Sequence, residues 1–250
     1  YSVERYQFNQ VGTGPYRFVE YIPDQRIVLR RNHEYTWGPD FYVASTNQIE
    51  EVEFRFFTDT ATRLAALEQD VVQVIGELQP ADARTLVGNS RIQVMAVPIP
   101  GQPDQFLINT RQFPTDNLTF RQALLTGTNR QSIVDTIYQG FSPAALSPLS
   151  DGVQFHTDAG ANLYNFDSQQ ARALISTLGF LDADNNGYWD TASGDLSVRV
   201  IIPPWGEYRQ MAQLLQDQWR TIGIKLEAVS VPVDAVADAV GELGEGVGVA

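Results

Sequence analysis

Residues 197–231 read SVRVIIPPWGEYRQMAQLLQDQWRTIGIKLEAVSV and contain the pattern that decides the fold. The runs at 197–202 and 225–231 are rich in residues that favour strands. Between them, apolar side chains recur at spacings of three and four residues, as on one face of a helix, and Gly223 ends the pattern. A strand, a helix and a strand in this order join parallel neighbours through a right-handed crossover. The stretch therefore predicts an α/β fold.

The chain before this stretch contains further strand and helix patterns. Residues 23–25 separate two strand-like runs, 16–22 and 26–31, and therefore predict a hairpin. Asp167, followed by Gln170 three positions later, predicts the N-cap of a helix that ends at Gly179. The other predicted elements are strands at 52–56, 91–97 and 105–109, and helices at 60–68 (capped by its own Thr start), 81–86 and 120–137, the last interrupted by Gly127.

A proline-rich loop follows the strand predicted at 91–97. Three prolines within residues 98–103 exclude a central strand or a helix there. We therefore expect a boundary near residue 105, between part of a first lobe with a mixed β-sheet (1–105) and part of a second α/β lobe (106–250). The second lobe would begin with a strand at 106–110.

Composition excludes several classes of function. The formal net charge of −13 disfavours nucleic-acid binding, because that binding depends on neutralising phosphates. The chain has no cysteine, which removes thiol nucleophiles, thiolate zinc sites and iron–sulfur clusters. Neither of its 2 histidines has a partner at the spacing of metal ligands, which disfavours a zinc or iron enzyme. No apolar run is long enough to span a membrane as a helix.

Residues 182–190 read DADNNGYWD and resemble a calcium-binding loop. Oxygen-bearing side chains at the first, third and fifth positions converge around a sharp turn that glycine permits at the sixth. The twelfth position is Ser193 instead of the bidentate Glu. We expect either a weak Ca²⁺ site or an Asx-rich turn. The candidate ligands are Asp182, Asp184, Asn186, Tyr188 and Asp190.

A second local pattern suggests a different chemistry. Residues 140–144, GFSPA, come within one residue of a nucleophile elbow, and His156 follows downstream. Such an elbow needs a strand before the serine and a helix after it, whereas here a helix precedes Ser142 and a proline follows it. A serine-type hydrolase that uses Ser142 and His156 is therefore kept as an alternative.

Read in order, several segments resemble one family, the extracellular solute-binding proteins of family 5, which deliver oligopeptides, dipeptides, nickel chelates or sugars to ABC importers. Each segment alone is weak, but their shared order and spacing are specific. The segments are GTGPYRFVEY at 12–21, RRNHEYTWG at 30–38, TATRLAALE at 60–68, INT at 108–110, FRQAL at 120–124, NRQSIV at 129–134, YNFD at 164–167, ARALI at 171–175, and the stretch from Leu214 to Leu226.

The resemblance implies a fold and a function. The fold would be α/β and periplasmic-binding-protein-like type II, with two mixed-sheet lobes joined by a hinge, and this chain would be the middle of the family's longer chain, truncated at both ends. The function would be the extracytoplasmic substrate-binding component of an ABC importer, which captures peptides or similar small solutes without catalysis. The partners would be the ligand and the importer permease. We expect a monomer in the periplasm or at the cell surface, anchored as a lipoprotein.

The resemblance also places the ligand cleft. Residues just before the strand that crosses between the lobes would face it, namely Gln102, Asp104, Gln105 and Phe106. Asp104 would bind a cationic group of the ligand. Trp205 lies in the loop PPWG at 203–206, where an aromatic ring either plugs the lobe or contacts a ligand. A ligand-sensing domain of a regulator remains a further alternative, because the same fold can be fused to regulators.

Overall fold

The computed structural model of the chain describes residues 3–38, 49–97, 99–232 and 235. The chain forms two compact units, Tyr1–Gln79 and Pro80–Ala250. The first unit contains α1 (Val3–Tyr6), β1 (Tyr16–Ile22), β2 (Arg26–Arg31), β3 (Glu51–Arg55) and α2 (Thr60–Glu68). The second contains α3 (Pro80–Leu86), α4 (Leu118–Thr126), α5 (Arg130–Ile137), α6 (Ser168–Ser176), β4 (Asp190–Thr191), β5 (Gly194–Asp195), β6 (Ser197–Ile202), α7 (Tyr208–Thr221) and β7 (Lys225–Ser230).

The first unit is built on a three-stranded antiparallel sheet in the order β1-β2-β3. The predicted hairpin is confirmed, and its turn places Asp24 at a positive φ of 59°. Arginines and glutamates face each other across the strands, as in the Arg30–Glu51 pair at 3.1 Å. Such exposed pairs each contribute little to stability, about 0 to 1 kcal/mol, so they chiefly set the register.

The second unit contains the main core and confirms the strand–helix–strand prediction. Strands β6 and β7 pair in parallel from Ser197 opposite Lys225 to Ile202 opposite Ser230. Helix α7 connects them and packs against β7. The largest fully buried side chains all belong to this unit: Phe120, Ile175, Leu196, Ile222 and Ile224.

The helical region predicted at 120–137 consists of two helices, α4 and α5, separated at Gly127 as the sequence indicates. Asn117 caps α4 by accepting a hydrogen bond from the Phe120 amide at 3.3 Å. Asn129 caps α5 in the same way through the Ser132 amide at 3.0 Å. Gly127 also leaves room for Ile222, the C-cap of α7: a Cβ on Gly127 would lie 2.6 Å from the Ile222 Cδ1 atom.

Two further caps test the sequence predictions. Asp167 caps α6 as predicted, accepting from the Gln169 and Gln170 amides, each at 2.9 Å. The cap of α2 is not its first helical residue, as the sequence suggested, but Asp59, whose carboxylate accepts from the Thr62 amide at 2.7 Å. Aspartate is the stronger cap because its charge also interacts favourably with the helix dipole.

The strands predicted at 91–97 and 105–109 are absent from the described residues, and so is the strand expected at 106–110. A strand exists only where a neighbour supplies hydrogen-bond partners, and the described strands all pair elsewhere. A short hairpin that the sequence did not suggest, β4-β5, lies just before β6. The lobe boundary near residue 105 stays a prediction.

A long connection runs from α5 to α6 and is fastened at two places. Ser150 and Gly101 exchange two hydrogen bonds, Gly101 N to Ser150 Oγ at 3.0 Å and Ser150 N to Gly101 O at 2.9 Å. The His156 ring binds the Leu149 carbonyl through Nδ1 at 2.8 Å and the Asp158 carboxylate through Nε2 at 3.0 Å. The hydrogen bond to Leu149, followed by that to Asp158, raises the pKa of His156 above its ordinary value of 6.5.

Within the ranges described, no helix combines the length and the apolar character that crossing a membrane demands.

We predict that Ile175→Ala in the full-length protein lowers the free energy of unfolding by about 2 to 5 kcal/mol, because the side chain is 0% exposed and its loss leaves a cavity. Urea denaturation followed by circular dichroism measures the change. Leu181→Ala is the matched control: this leucine is 71% exposed, and its truncation should change stability by less than about 0.5 kcal/mol. Equal effects of the two substitutions would contradict this assignment of the core.

We also predict that His156 stabilises the fold in a pH-dependent way. Its pKa is raised in the folded state, so the stabilisation is complete below the ordinary value of 6.5 and is lost as the pH rises through the folded pKa. The difference in melting temperature between the wild type and His156→Gln should therefore be larger at about pH 5.5 than at about pH 8.5. A difference that does not change with pH would show that the imidazolium contributes nothing.

Candidate functional site

The residues that the sequence places in the ligand cleft lie on one exposed segment of the second unit. The side chains of Gln102, Asp104 and Gln105 are exposed, and Gln105 Nε2 donates to Gln102 Oε1 at 3.3 Å. At its start this segment is fastened by the paired hydrogen bonds between Gly101 and Ser150. The structure therefore presents the predicted polar groups to solvent from an anchored backbone.

Asp104 is held by two tyrosines from different helices. Tyr208, the first residue of α7, donates its hydroxyl to Asp104 Oδ1 at 2.7 Å. Tyr138, the C-cap of α5, donates its hydroxyl to Asp104 Oδ2 at 2.9 Å. Each carboxylate oxygen thus accepts one neutral hydroxyl donor, which fixes the plane of the carboxylate.

The electrostatics of this cluster keep both tyrosines protonated. Burial, followed by the hydrogen bond and the charge of Asp104, raises the pKa of Tyr208 to about 12. Burial and then Asp104 also raise the pKa of Tyr138, and the charge of Glu207 contributes to the same shift. The carboxylate therefore has two permanent hydrogen-bond donors across the physiological pH range.

Two aromatic side chains of the predicted site differ in their surroundings. The Phe106 ring packs against Trp219 of α7, with centroids 5.9 Å apart and an interplanar angle of 44°, yet Phe106 is 44% exposed. Trp205 is 50% exposed on the connection between β6 and α7. It precedes Tyr208 by three positions, so the loop that presents Trp205 leads directly to a tyrosine that binds Asp104. Half of each ring is available to a ligand.

Sequence reasoning missed Tyr138 and Tyr208 as members of the site. Tyr208 belongs to the periodic run that predicts α7, and Tyr138 follows the end of α5 without a distinctive neighbour. Tyr138 and Asp104 are 34 residues apart, and Tyr208 and Asp104 are 104 apart. No local spacing could reveal contacts over these separations.

The calcium-like loop forms a network of short turns. Asp184 accepts from the Asn186 amide at 3.1 Å, and Asp182 Oδ2 accepts from the Gly187 amide at 3.1 Å. Asp190 Oδ2 accepts from the Ala183 amide at 2.6 Å, and Tyr188 donates its amide to Asn186 Oδ1 at 2.8 Å.

One oxygen in this loop has no partner: Asp182 Oδ1 is buried and accepts no hydrogen bond. Against this, the described part of the chain holds no group of three or more histidine or acidic side chains arranged around a common point. The loop thus offers one orphaned carboxylate oxygen of the kind Ca²⁺ prefers, and its other acids are engaged with amide donors. Calcium binding stays a prediction.

The serine hydrolase site that the sequence suggests at Ser142 and His156 is not assembled in the structure. Ser142 Oγ donates to the Pro143 carbonyl at 3.5 Å, while both ring nitrogens of His156 are engaged by Leu149 and Asp158. A histidine whose two nitrogens are occupied cannot accept the proton of a serine hydroxyl. The geometry therefore gives the hydrolase no nucleophile and base pair.

Comparison with known proteins adds an independent line of evidence. The dipeptide-binding protein of Escherichia coli K12 is 27% identical over 229 residues, which cover 91% of this chain and 39% of that protein. Di/tripeptide-binding protein 3 of Pseudomonas aeruginosa UCBPP-PA14 is 30% identical over 230 residues, covering 90% of this chain and 40% of that protein. The chain thus spans about two fifths of the length of the curated relatives it matches.

Among solved structures, NikA from Brucella suis in complex with Fe(III)-EDTA superposes with a TM-score of 0.79 at 20% identity, covering 91% of this chain and 45% of NikA. This likeness confirms the predicted type II periplasmic-binding-protein fold.

The family model "Bacterial extracellular solute-binding proteins, family 5 Middle" matches residues 2–241. Because that match extends over nearly the whole chain, the protein belongs to the bacterial extracellular solute-binding proteins of family 5.

Proposed function

We propose that the protein is the extracytoplasmic substrate-binding component of an ABC importer and that it captures peptides or similar small solutes without catalysis. The observation that carries this proposal is the family match over residues 2–241. Relatives named for dipeptides and tripeptides support peptides as the first ligand class to test. The Fe(III)-EDTA complex of NikA supports chelated metals as a second class.

The geometry of the second unit is consistent with binding. Gln102 and Gln105 expose amide groups that can pair with main-chain groups of a peptide, and Phe106 and Trp205 each expose about half of an aromatic ring. Small-molecule sites combine apolar rings with a few fixed polar groups in this way. The absence of a hydrogen-bonded serine and histidine pair at Ser142 and His156 removes the observation that would favour hydrolysis.

The remaining features of the proposal follow from the family. Closure of two lobes around the ligand would present the permease with a conformation that the empty protein rarely visits. We propose a monomer, located in the periplasm or at the cell surface and anchored to the membrane as a lipoprotein. A regulator that senses the same ligand would need no permease, so co-purification with a permease distinguishes the two roles.

The first experiment identifies the ligand directly. We expect that native mass spectrometry of the full-length protein, gently purified from its host, detects bound small molecules, and that denaturation releases short peptides. Recovery of a single metal chelate or sugar would keep the binding role and change the ligand class. Hydrolysis of short peptides by the wild type, lost in Ser142→Ala, would contradict the proposal.

A second experiment tests the calcium-like loop. If Asp182 Oδ1 helps to bind Ca²⁺, millimolar calcium should raise the melting temperature of the wild type and a chelator should reverse the effect, because a ligand that binds only the folded state stabilises it. Asp182→Asn should abolish the shift. Asp135→Asn removes the same charge from an exposed position on α5 and should preserve it. An unchanged wild-type melting temperature would eliminate the site.

A further inference from the structure

Asp104 differs from the acids that form ion pairs, because its described partners are both uncharged hydroxyls. Glu20 and Glu51 of the first unit pair with arginines at 2.9 and 3.1 Å. In the part of the chain that the structure describes, the Asp104 oxygens meet two tyrosine hydroxyls instead. The carboxylate is thus oriented by hydrogen bonds, but its charge is not neutralised by a neighbouring cation.

The exposed side of this carboxylate can accept another donor. An ionised carboxylate offers about four lone-pair positions, and the two hydroxyls occupy one on each oxygen. The Asp104 side chain is exposed, although the two tyrosines that hold it are only partly exposed. The carboxylate is therefore oriented by two hydroxyls on a residue that remains exposed to solvent.

The surroundings favour a cation at that face. Glu207 precedes Tyr208 and is close enough for its charge to act on Tyr138, so a second negative charge lies beside the cluster. Half-exposed aromatic rings lie on the same two segments, Phe106 two positions after Asp104 and Trp205 three positions before Tyr208. Aromatic faces attract cations and also pack against the carbon atoms that carry them.

We propose that the cluster of Asp104, Tyr138 and Tyr208 is a subsite for a cationic group of the ligand, either a primary ammonium or a guanidinium. This inference rests on the proposed binding function and adds a ligand chemistry to it. The tyrosines act as positioning residues: they aim the carboxylate, and the carboxylate binds the cation. A ligand with a positive group at this point gains a charge-assisted hydrogen bond that a neutral ligand of the same shape lacks.

The test measures binding of three probes to the full-length protein by isothermal titration calorimetry. The probes are the tripeptide Ala-Lys-Ala, its neutral isostere Ala-norleucine-Ala, and N-acetyl-Ala-norleucine-Ala, which also lacks the amino-terminal charge. We expect Asp104→Asn to weaken binding of Ala-Lys-Ala by about 10-fold to 100-fold, the size of one hydrogen bond to a charged group. If the subsite binds the side-chain ammonium, the effect of Asp104→Asn should disappear with Ala-norleucine-Ala. If it binds the amino-terminal ammonium, the effect should disappear only with the acetylated probe.

Three further variants make the test specific. Tyr138→Phe and Tyr208→Phe keep each ring and remove one hydroxyl, and each should weaken binding of the same probe by about 2-fold to 10-fold. Asp135→Asn is the matched control, because Asp135 is an exposed acid on α5 that accepts from Gln131 Nε2 at 2.7 Å. It should leave all three affinities unchanged.

The outcomes separate the subsite from its rivals. If Asp104→Asn weakens all three probes equally, or lowers the melting temperature without changing selectivity, Asp104 is a structural tie of its segment and the subsite is refuted while the binding function stands. If the wild type binds the probes and Asp104→Asn binds each as well as the wild type does, the subsite is likewise refuted. If the wild type binds none of the probes, the subsite is refuted, and the ligands recovered by native mass spectrometry decide separately whether the binding function stands.

Discussion

The close approach of α7 to the turn between α4 and α5 is the constraint on which the second unit depends. Gly127 admits the Ile222 side chain where any larger residue would collide with it. The polar groups beside this contact are paired: Trp219 Nε1 donates to Thr128 Oγ1 at 2.9 Å, and the Asn129 amide donates to Gln218 Oε1 at 2.8 Å. The polar groups that lie beside the buried Ile222 side chain therefore have hydrogen-bond partners. A tightly packed interior requires this, because a buried polar group without a partner is destabilising.

The same helix connects the core to the candidate site. Its last turns supply Trp219 and the contacts to the α4–α5 turn, while its first residue, Tyr208, binds Asp104. Tyr138 lies at the end of α5, whose start is fixed by Gln218 of α7. Because both hydroxyl donors are carried by helices that pack on each other, the core helps to position the carboxylate of Asp104. A substitution that loosens this packing would therefore also disturb the site.

Sequence reasoning succeeded where the information is local. The periodicity of 197–231 predicted β6, α7 and β7, and Asp167 predicted the start of α6, since caps and amphipathic faces depend on neighbours a few residues away. It failed for the strands expected at 91–97 and 106–110, because a β-rich run becomes a strand only beside a partner that the run itself does not specify. It proposed Asp104 as a site residue without Tyr138 or Tyr208, because the hydroxyls meet the carboxylate only through tertiary packing.

Asp104 and His156 are both held by hydrogen bonds, but the two side chains differ in what those bonds leave exposed. A catalytic base needs a free lone pair directed at a proton and a pKa near the working pH. His156 has both nitrogens engaged within its own loop, and Asp104 receives two hydroxyls whose raised pKa values keep them from exchanging protons with it. The two hydroxyls fix the orientation of the Asp104 carboxylate, and the residue remains exposed. The cluster thus holds an exposed carboxylate in a defined orientation, which is the geometry that the proposed cationic subsite needs.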